Sequence, residues 1–194
     1  QDAKIGFDIY GKDPSFLKGK TKRRKPSVVP TMQLIPIPPD ILRQHKNIIL
    51  CVDIFFFGGQ RFLHTISTHY NFRTVTMMKS ATQNSLTKSL APIFNLYTSR
   101  GLDIEHMRAD FQFESLREDI RPINLHTTAV GEHVPEVEGS IQTIEGDCRA
   151  IYNSLPYENL PKQLLKGLVE YVIHIQNLFP TKILSVLFMN QLHC

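Results

Sequence analysis

The longest apolar run in the chain starts at Ile48 and reads Ile-Ile-Leu-Cys-Val-Asp-Ile-Phe-Phe-Phe before it stops at Gly58-Gly59. A run this rich in β-branched and aromatic residues predicts a strand buried on both faces, and the glycine pair predicts a hairpin turn. Arg61-Phe-Leu-His-Thr-Ile-Ser and Phe72-Arg-Thr-Val-Thr-Met-Met follow as two further strands, giving a meander of three. The period then changes. Leu86, Leu90, Ile93, Phe94 and Tyr97 recur at helical spacing between about Ser85 and Arg100, with Gly101 as the stop. A short strand around Ile104–Ala109, a helical turn near Phe113–Asp119 and a fifth strand in Pro122-Ile-Asn-Leu-His-Thr-Thr come next. Two helices complete the pattern, Glu132 to about Asn153 and Lys162 to Leu178. The second carries Leu164, Leu165, Leu168, Val169, Val172, Ile173 and Ile175 as a broad apolar stripe ended by Pro180. The sum is an α/β domain: a mixed five-stranded sheet with helices on its faces.

Ahead of this block the pattern breaks. Pro26, Pro30, Pro36, Pro38 and Pro39 interrupt the chain too often for one continuous helix or a central strand, which predicts an extended linker. Upstream, Lys18, Lys20, Lys22, Arg23, Arg24 and Lys25 place six cations in eight residues. A run of this density suits displacement of counterions from a phosphate backbone; a solvated tether or a nuclear-import signal has the same composition. Residues 1–50 hold ten Lys/Arg against four Asp/Glu, whereas residues 51–194 hold twelve against fourteen, so the net +4 belongs to the arm and not to the core. Gly19-Lys20-Thr21 is not a phosphate loop, because the upstream glycine spacing and the preceding strand are missing.

Three acidic residues stand beside apolar runs: Asp53 in Leu50-Cys-Val-Asp-Ile-Phe-Phe, Asp110 in Met107-Arg-Ala-Asp-Phe-Gln-Phe-Glu, and Glu138 in His133-Val-Pro-Glu-Val-Glu. A carboxylate inside a strand loses several kcal/mol of hydration unless a cation, a donor or an open cleft lies beside it. Such a placement argues for a site. Glu138, Ile141, Glu145 and Cys148 recur at three- and four-residue steps, a spacing that aims Glu138 from one helix face toward the sheet. Glu114 is a rival to Asp110, and Glu136 a rival to Glu138.

Other chemistries find little support. No stretch approaches the roughly 18–20 uninterrupted apolar residues of a membrane span, and the N-terminus lacks the apolar core of a secretory signal, so an intracellular protein is expected. Cys51, Cys148 and Cys194 are odd in number and widely separated, which supports neither a disulfide framework nor a zinc site. His64, His69 and His133 have no Cys/His partner at zinc-site spacing and are expected to be hydrogen-bonded strand or loop residues. Tyr152 and Tyr157 are candidates for stacking on DNA, with packing as the plainer role.

The segments Tyr10-Gly-Lys-Asp-Pro-Ser-Phe-Leu-Lys-Gly-Lys-Thr-Lys-Arg-Arg-Lys, Cys51-Val-Asp-Ile-Phe-Phe, Phe62-Leu-His-Thr-Ile-Ser, Asp110-Phe-Gln-Phe-Glu-Ser-Leu-Arg-Glu-Asp, Glu132-His-Val-Pro-Glu-Val-Glu and Arg149-Ala-Ile-Tyr-Asn-Ser-Leu-Pro-Tyr resemble, in that order, the integrase region of retrotransposon polyproteins. The resemblance covers residues 9 to 182 and implies a catalytic core of the ribonuclease-H type. It implies DNA end processing and strand transfer with two Mg²⁺ or Mn²⁺ ions held by Asp53, Asp110 and Glu138 as the family's D, D and E. It also implies DNA partners (element ends and target), a homo-oligomer and nuclear action, with Lys18 to Lys25 as a nucleic-acid-binding run. The expected division is a basic, proline-rich arm over 1–45, the core over 46–182 and an unassigned tail over 183–194, where the resemblance stops. The zinc-binding N-terminal domain of full integrases has no counterpart in these residues.

This chain departs from the family pattern at several places. Pro135 and Gly139 flank Glu138 where the family has glycine and a basic residue, and Phe111 follows Asp110 where the family has a small or amide residue. The next helical turns read Gln142, Glu145, Gly146 and Asp147 in place of a basic grip. Glycine and proline lower helix propensity by about 1–3 kcal/mol each at interior positions, so a frayed or displaced helix is expected there. The competing expectation is a catalytically inactive, integrase-derived remnant that binds nucleic acid through its arm. A nuclease of the same fold is a third.

Overall fold

The computed structural model describes residues 37–129, 134–157 and 159–178. They build helix α1 (Pro39–His45), strands β1 (Asn47–Phe57), β2 (Gln60–Ser67) and β3 (Arg73–Met78), helix α2 (Gln83–Thr98) and strand β4 (Asp103–Ala109). A 3₁₀ helix (Phe111–Leu116), strand β5 (Asn124–Thr127) and helices α3 (Pro135–Ser154) and α4 (Lys162–Leu178) follow. The strands form one five-stranded sheet in the order β3-β2-β1-β4-β5. β1 pairs antiparallel with β2 and β2 with β3, while β1–β4 and β4–β5 are parallel. The expected α/β domain with a mixed five-stranded sheet flanked by helices is present.

The hairpin turns where the glycines stand. Gly58 and Gly59 have φ of 55° and 70°, the left-handed conformation that a two-residue turn with matching twist requires. A methyl group added to Gly58 would also lie 2.8 Å from Leu165 Cδ1, so α4 is seated against the turn.

β1 is central and covered on both sides, which is why its sequence is a continuous apolar run and not an alternating one. Ile48, Leu50 and Val52 pack with Leu63, Met107, the α2 residues Leu86, Leu90, Ile93 and Tyr97, and Phe113 and Leu116 of the 3₁₀ helix. On the opposite face Cys51 and Phe55 pack with Phe62, Ile66, the α3 residues Val137, Ile141, Ile144 and Cys148, and Leu168, Val169, Val172 and Ile173 of α4. Both cysteines are free buried thiols; burial pushes Cys51 up to about 11 and Cys148 up to about 12.

Two local readings change. Residues 39–45, assigned above to the arm, form a helix whose Leu42 packs on the α2-side core. Pro39 sits at the start of that helix, where the missing N–H costs nothing. Helix α3 is continuous over twenty residues and neither frayed nor interrupted. Pro135 occupies its first turn, and Gly139 and Gly146 face open space, so the low propensity is offset by the apolar face packed on the sheet. The basic run from Lys18 to Lys25, His133 and the 183–194 tail lie outside the described residues.

Candidate active site

Side chains alternate across a strand, and Cys51 and Phe55 belong to the core beneath α3 and α4, so Asp53 between them looks to that same side. On β4, Met107 and Ala109 belong to the core beneath α2, which turns Arg108 and Asp110 toward α3. Asp110 continues this alternation because its own backbone is extended, with φ −67° and ψ 161°. Val52 is the register partner of Ala109, and one residue further along both strands stand Asp53 and Asp110. Two carboxylates distant by dozens of residues in sequence are thus neighbours on one face of adjacent parallel strands. Both are half-buried. Asp53 Oδ1 accepts the Ile54 N–H at 2.6 Å, and Asp110 Oδ1 accepts the Thr128 hydroxyl at 3.5 Å.

Glu138 is placed differently. The inward stripe of α3 is Val137, Ser140, Ile141, Ile144 and Cys148, and Glu138, one position after Val137, is exposed in the first turn. Its rival Glu136 bonds to Arg108 at 3.2 Å. The other rival, Glu114, accepts Arg117 at 2.6 and 2.8 Å and the Thr127 hydroxyl at 2.9 Å. The hydrogen bonds from Arg117 and Thr127 hold its carboxyl at about 2, well below the ordinary carboxylate range. Glu114 is therefore committed to a local clamp joining the 3₁₀ helix to β5. Among the described residues no group of three His, Cys, Asp or Glu side chains is arranged to hold a metal ion.

Asp53 and Asp110 alone form a hard-oxygen pair. Mg²⁺ typically takes one or two protein carboxylates and completes its shell with water and substrate phosphate, so this pair fits one such ion. A three-carboxylate, two-ion set would need Glu138 to join them.

A buried polar chain fixes α3 on the sheet beside this pair. His64, the register partner of Asp53, is fully buried; its Nδ1 lies 2.9 Å from the Thr74 carbonyl and its Nε2 2.9 Å from Ser140 Oγ. A carbonyl only accepts, so Nδ1 carries the proton and Nε2 accepts from the Ser140 hydroxyl. The same oxygen then accepts Arg73 Nε–H at 3.1 Å. Desolvation lowers the His64 pKa to about 4, so the ring is neutral near pH 7. His64 is thus the hydrogen-bonded strand residue expected from its isolation.

The departures in α3 have structural partners. Glu145 bonds Arg149 at 3.2 Å, Asp147 accepts Gln176 of α4 at 2.8 Å, and Gln142 is exposed. Phe111 is 56% exposed, turned to solvent after Asp110. Tyr152 packs against the α3–α4 core, and Tyr157 is exposed.

Sequence reasoning missed one constellation. His106 Nδ1 and His126 Nε2 are 3.0 Å apart across the β4–β5 pair, beside Arg108 and Glu136. Only the register of two strands separated by the 3₁₀ helix brings the histidines together, so spacing carried no signal for them. A scan against protein-family models finds no match, and no curated protein matches the chain.

Proposed function

We propose that this chain is the catalytic core of a retroelement integrase, a ribonuclease-H-type domain that processes and joins DNA ends by metal-dependent phosphoryl transfer. The observation that carries the reading is the Asp53–Asp110 pair, side by side on one face of adjacent parallel strands at the centre of a 3-2-1-4-5 sheet. The ordered series of motifs adds to it.

In this reading Asp53 and Asp110 hold a Mg²⁺ or Mn²⁺ ion, and Glu138 from the first turn of α3 is the third carboxylate, drawn in to complete a two-ion set. When bound, the metal supplies Lewis-acid stabilisation of charge on the phosphoryl oxygens and on the attacking and leaving oxygens. The chain's own residues orient and hold. The Ile54 N–H and the Thr128 hydroxyl fix the two carboxylates, and the covering helix α3 is anchored to β2 and β3 through Ser140. Adjacent like charges repel one another, so the pair favours a bound cation between them. DNA ends and target DNA are the partners, the basic run Lys18–Lys25 the arm that grips them, a homo-oligomer the working form and the nucleus the place of action. Joining of a pre-cut donor end to supercoiled plasmid in Mn²⁺, present in the wild type and lost in Asp110→Asn, tests it.

A second reading, a nucleic-acid-binding remnant without catalysis, is favoured by the exposure of Glu138 and the acidic turns of α3. Salt-sensitive DNA binding that ignores Mg²⁺ and survives Asp53→Asn, with no joined product, distinguishes it.

A further inference from the structure

Beside Asp110 a cleft of about 520 Å³ opens between the ends of β4 and β5 and the start of α3. Its polar lining is His106, Arg108, His126, Thr127, Thr128 and Glu136. Thr128, which donates to Asp110, belongs to both places, so cleft and acidic pair are contiguous. We propose that this cleft receives a phosphate group of the DNA backbone, with Arg108 as its principal ligand and Glu136 as the resident counter-ion that the phosphate displaces. The inference rests on the reading above for the source of the phosphate, but the anion site itself stands on the cleft.

Arg108 is the cationic centre. Its side chain is 46% exposed and its partner Glu136 43%, and among the described residues the 3.2 Å contact between them is the one hydrogen bond the guanidinium makes. Exposed pairs of this kind are weak and exchange readily. A phosphate offers the planar guanidinium two parallel bonds in place of one. The two histidines add a polar wall. His106 Nδ1 and His126 Nε2 share one hydrogen at 3.0 Å and His106 Nε2 faces Glu105 Oε1 at 3.6 Å, so the two rings line the cleft beside Arg108 as reporters of its occupancy. A cation would fit worse. Its best carboxylate, Glu136, is already neutralised by Arg108, and among the described residues no three-ligand group is present.

The site predicts an unusual result: removing an acidic residue near the active pair strengthens DNA binding without touching the carboxylates proposed for the metal. The test is fluorescence anisotropy of a labelled DNA duplex with the full chain in EDTA. Relative to wild type, Arg108→Ala weakens binding by about 5-fold and lowers the salt dependence by about one phosphate contact, whereas Glu136→Gln tightens binding by about 2-fold or more. The arm is identical in all three proteins, so its contribution cancels in the ratios. In parallel, inorganic phosphate shifts the ring resonances of His106 and His126 in wild type and leaves them unmoved in Arg108→Ala. The proposal is overturned if Glu136→Gln binds DNA no more tightly than wild type, or if phosphate leaves the wild-type histidines unmoved. Should Arg108→Ala fail to fold, Glu136→Gln and the wild-type phosphate titration still decide. Joined DNA product with an unchanged Glu136→Gln affinity would retire this site and keep the integrase reading. A phosphate response with no joined product would do the reverse.

Discussion

Lowering the pH should unlock α3 through His64. The ring is fully buried and takes a proton only at about 4, against 6.5 in an exposed chain, chiefly because burial penalises the charged form, with Arg73 adding to it. Between these values the unfolded chain binds more protons than the folded one, so stability rises with pH in this window. The contribution is complete above about pH 6.5 and is lost as pH falls toward 4. One pKa unit is worth 1.36 kcal/mol, so the full window is worth about 3 kcal/mol, of which about 2 kcal/mol disappears between pH 7 and pH 5. Urea unfolding of wild type and His64→Gln at pH 7.5, 6.5, 5.5 and 4.5 isolates this term, since the remaining ionisable groups are common to both. The wild-type stability should fall more steeply than that of the variant, by about 2 kcal/mol over the acid half of the range. Parallel curves would remove the case for a neutral His64 in the His64–Ser140–Arg73 chain.

Three smaller tests probe other parts of the fold. Gly58→Ala should cost about 1–2 kcal/mol in chemical unfolding from the left-handed backbone alone, with more from the Leu165 contact at 2.8 Å; a neutral result would mean that neither the turn nor α4 is held as described. Arg117→Ala should return the Glu114 carboxyl from about 2 toward its ordinary 4.5, read by NMR titration of the side-chain carboxyl, with Thr127 retaining part of the depression. Gln142→Lys combined with Glu145→Lys adds positive charge to α3 at one exposed and one half-buried position, and its affinity for DNA ends at low salt should rise severalfold; unchanged binding would show that DNA does not pass over this helix.

The meander and its turn were legible because Gly58-Gly59 ends a long, mostly apolar run, and α4 because its broad apolar stripe stops before Pro180. Strand pairing was not. That β4 returns beside β1 depends on long-range register, and the adjacency of Asp53 and Asp110, like that of His106 and His126, follows from it. The residues of the acidic pair were visible one at a time, since a carboxylate inside a strand is conspicuous anywhere. On α3, Ile141 and Cys148 face inward as expected, whereas Val137 and Ile144 take the inward places expected of Glu138 and Glu145. Spacing alone makes Glu138 as good a sheet-facing position as Val137, and the cost of desolvating a carboxylate decides between them in favour of the valine. Helix α1 was hidden by its prolines, which exclude a helix interior but favour a first turn. Pro135 misled in the same way.

The proposed function stands or falls on whether Asp53 and Asp110 form a working metal-dependent phosphoryl-transfer site. It is tested most directly by strand joining of a pre-cut donor end into supercoiled plasmid in Mn²⁺, with wild type and Asp110→Asn compared at equal DNA occupancy. Joined product is expected from the wild type, with a loss of about 100-fold or more in the variant, the scale of removing one strong transition-state electrostatic contact. DNA bound equally by both proteins with no joined product from either would contradict it.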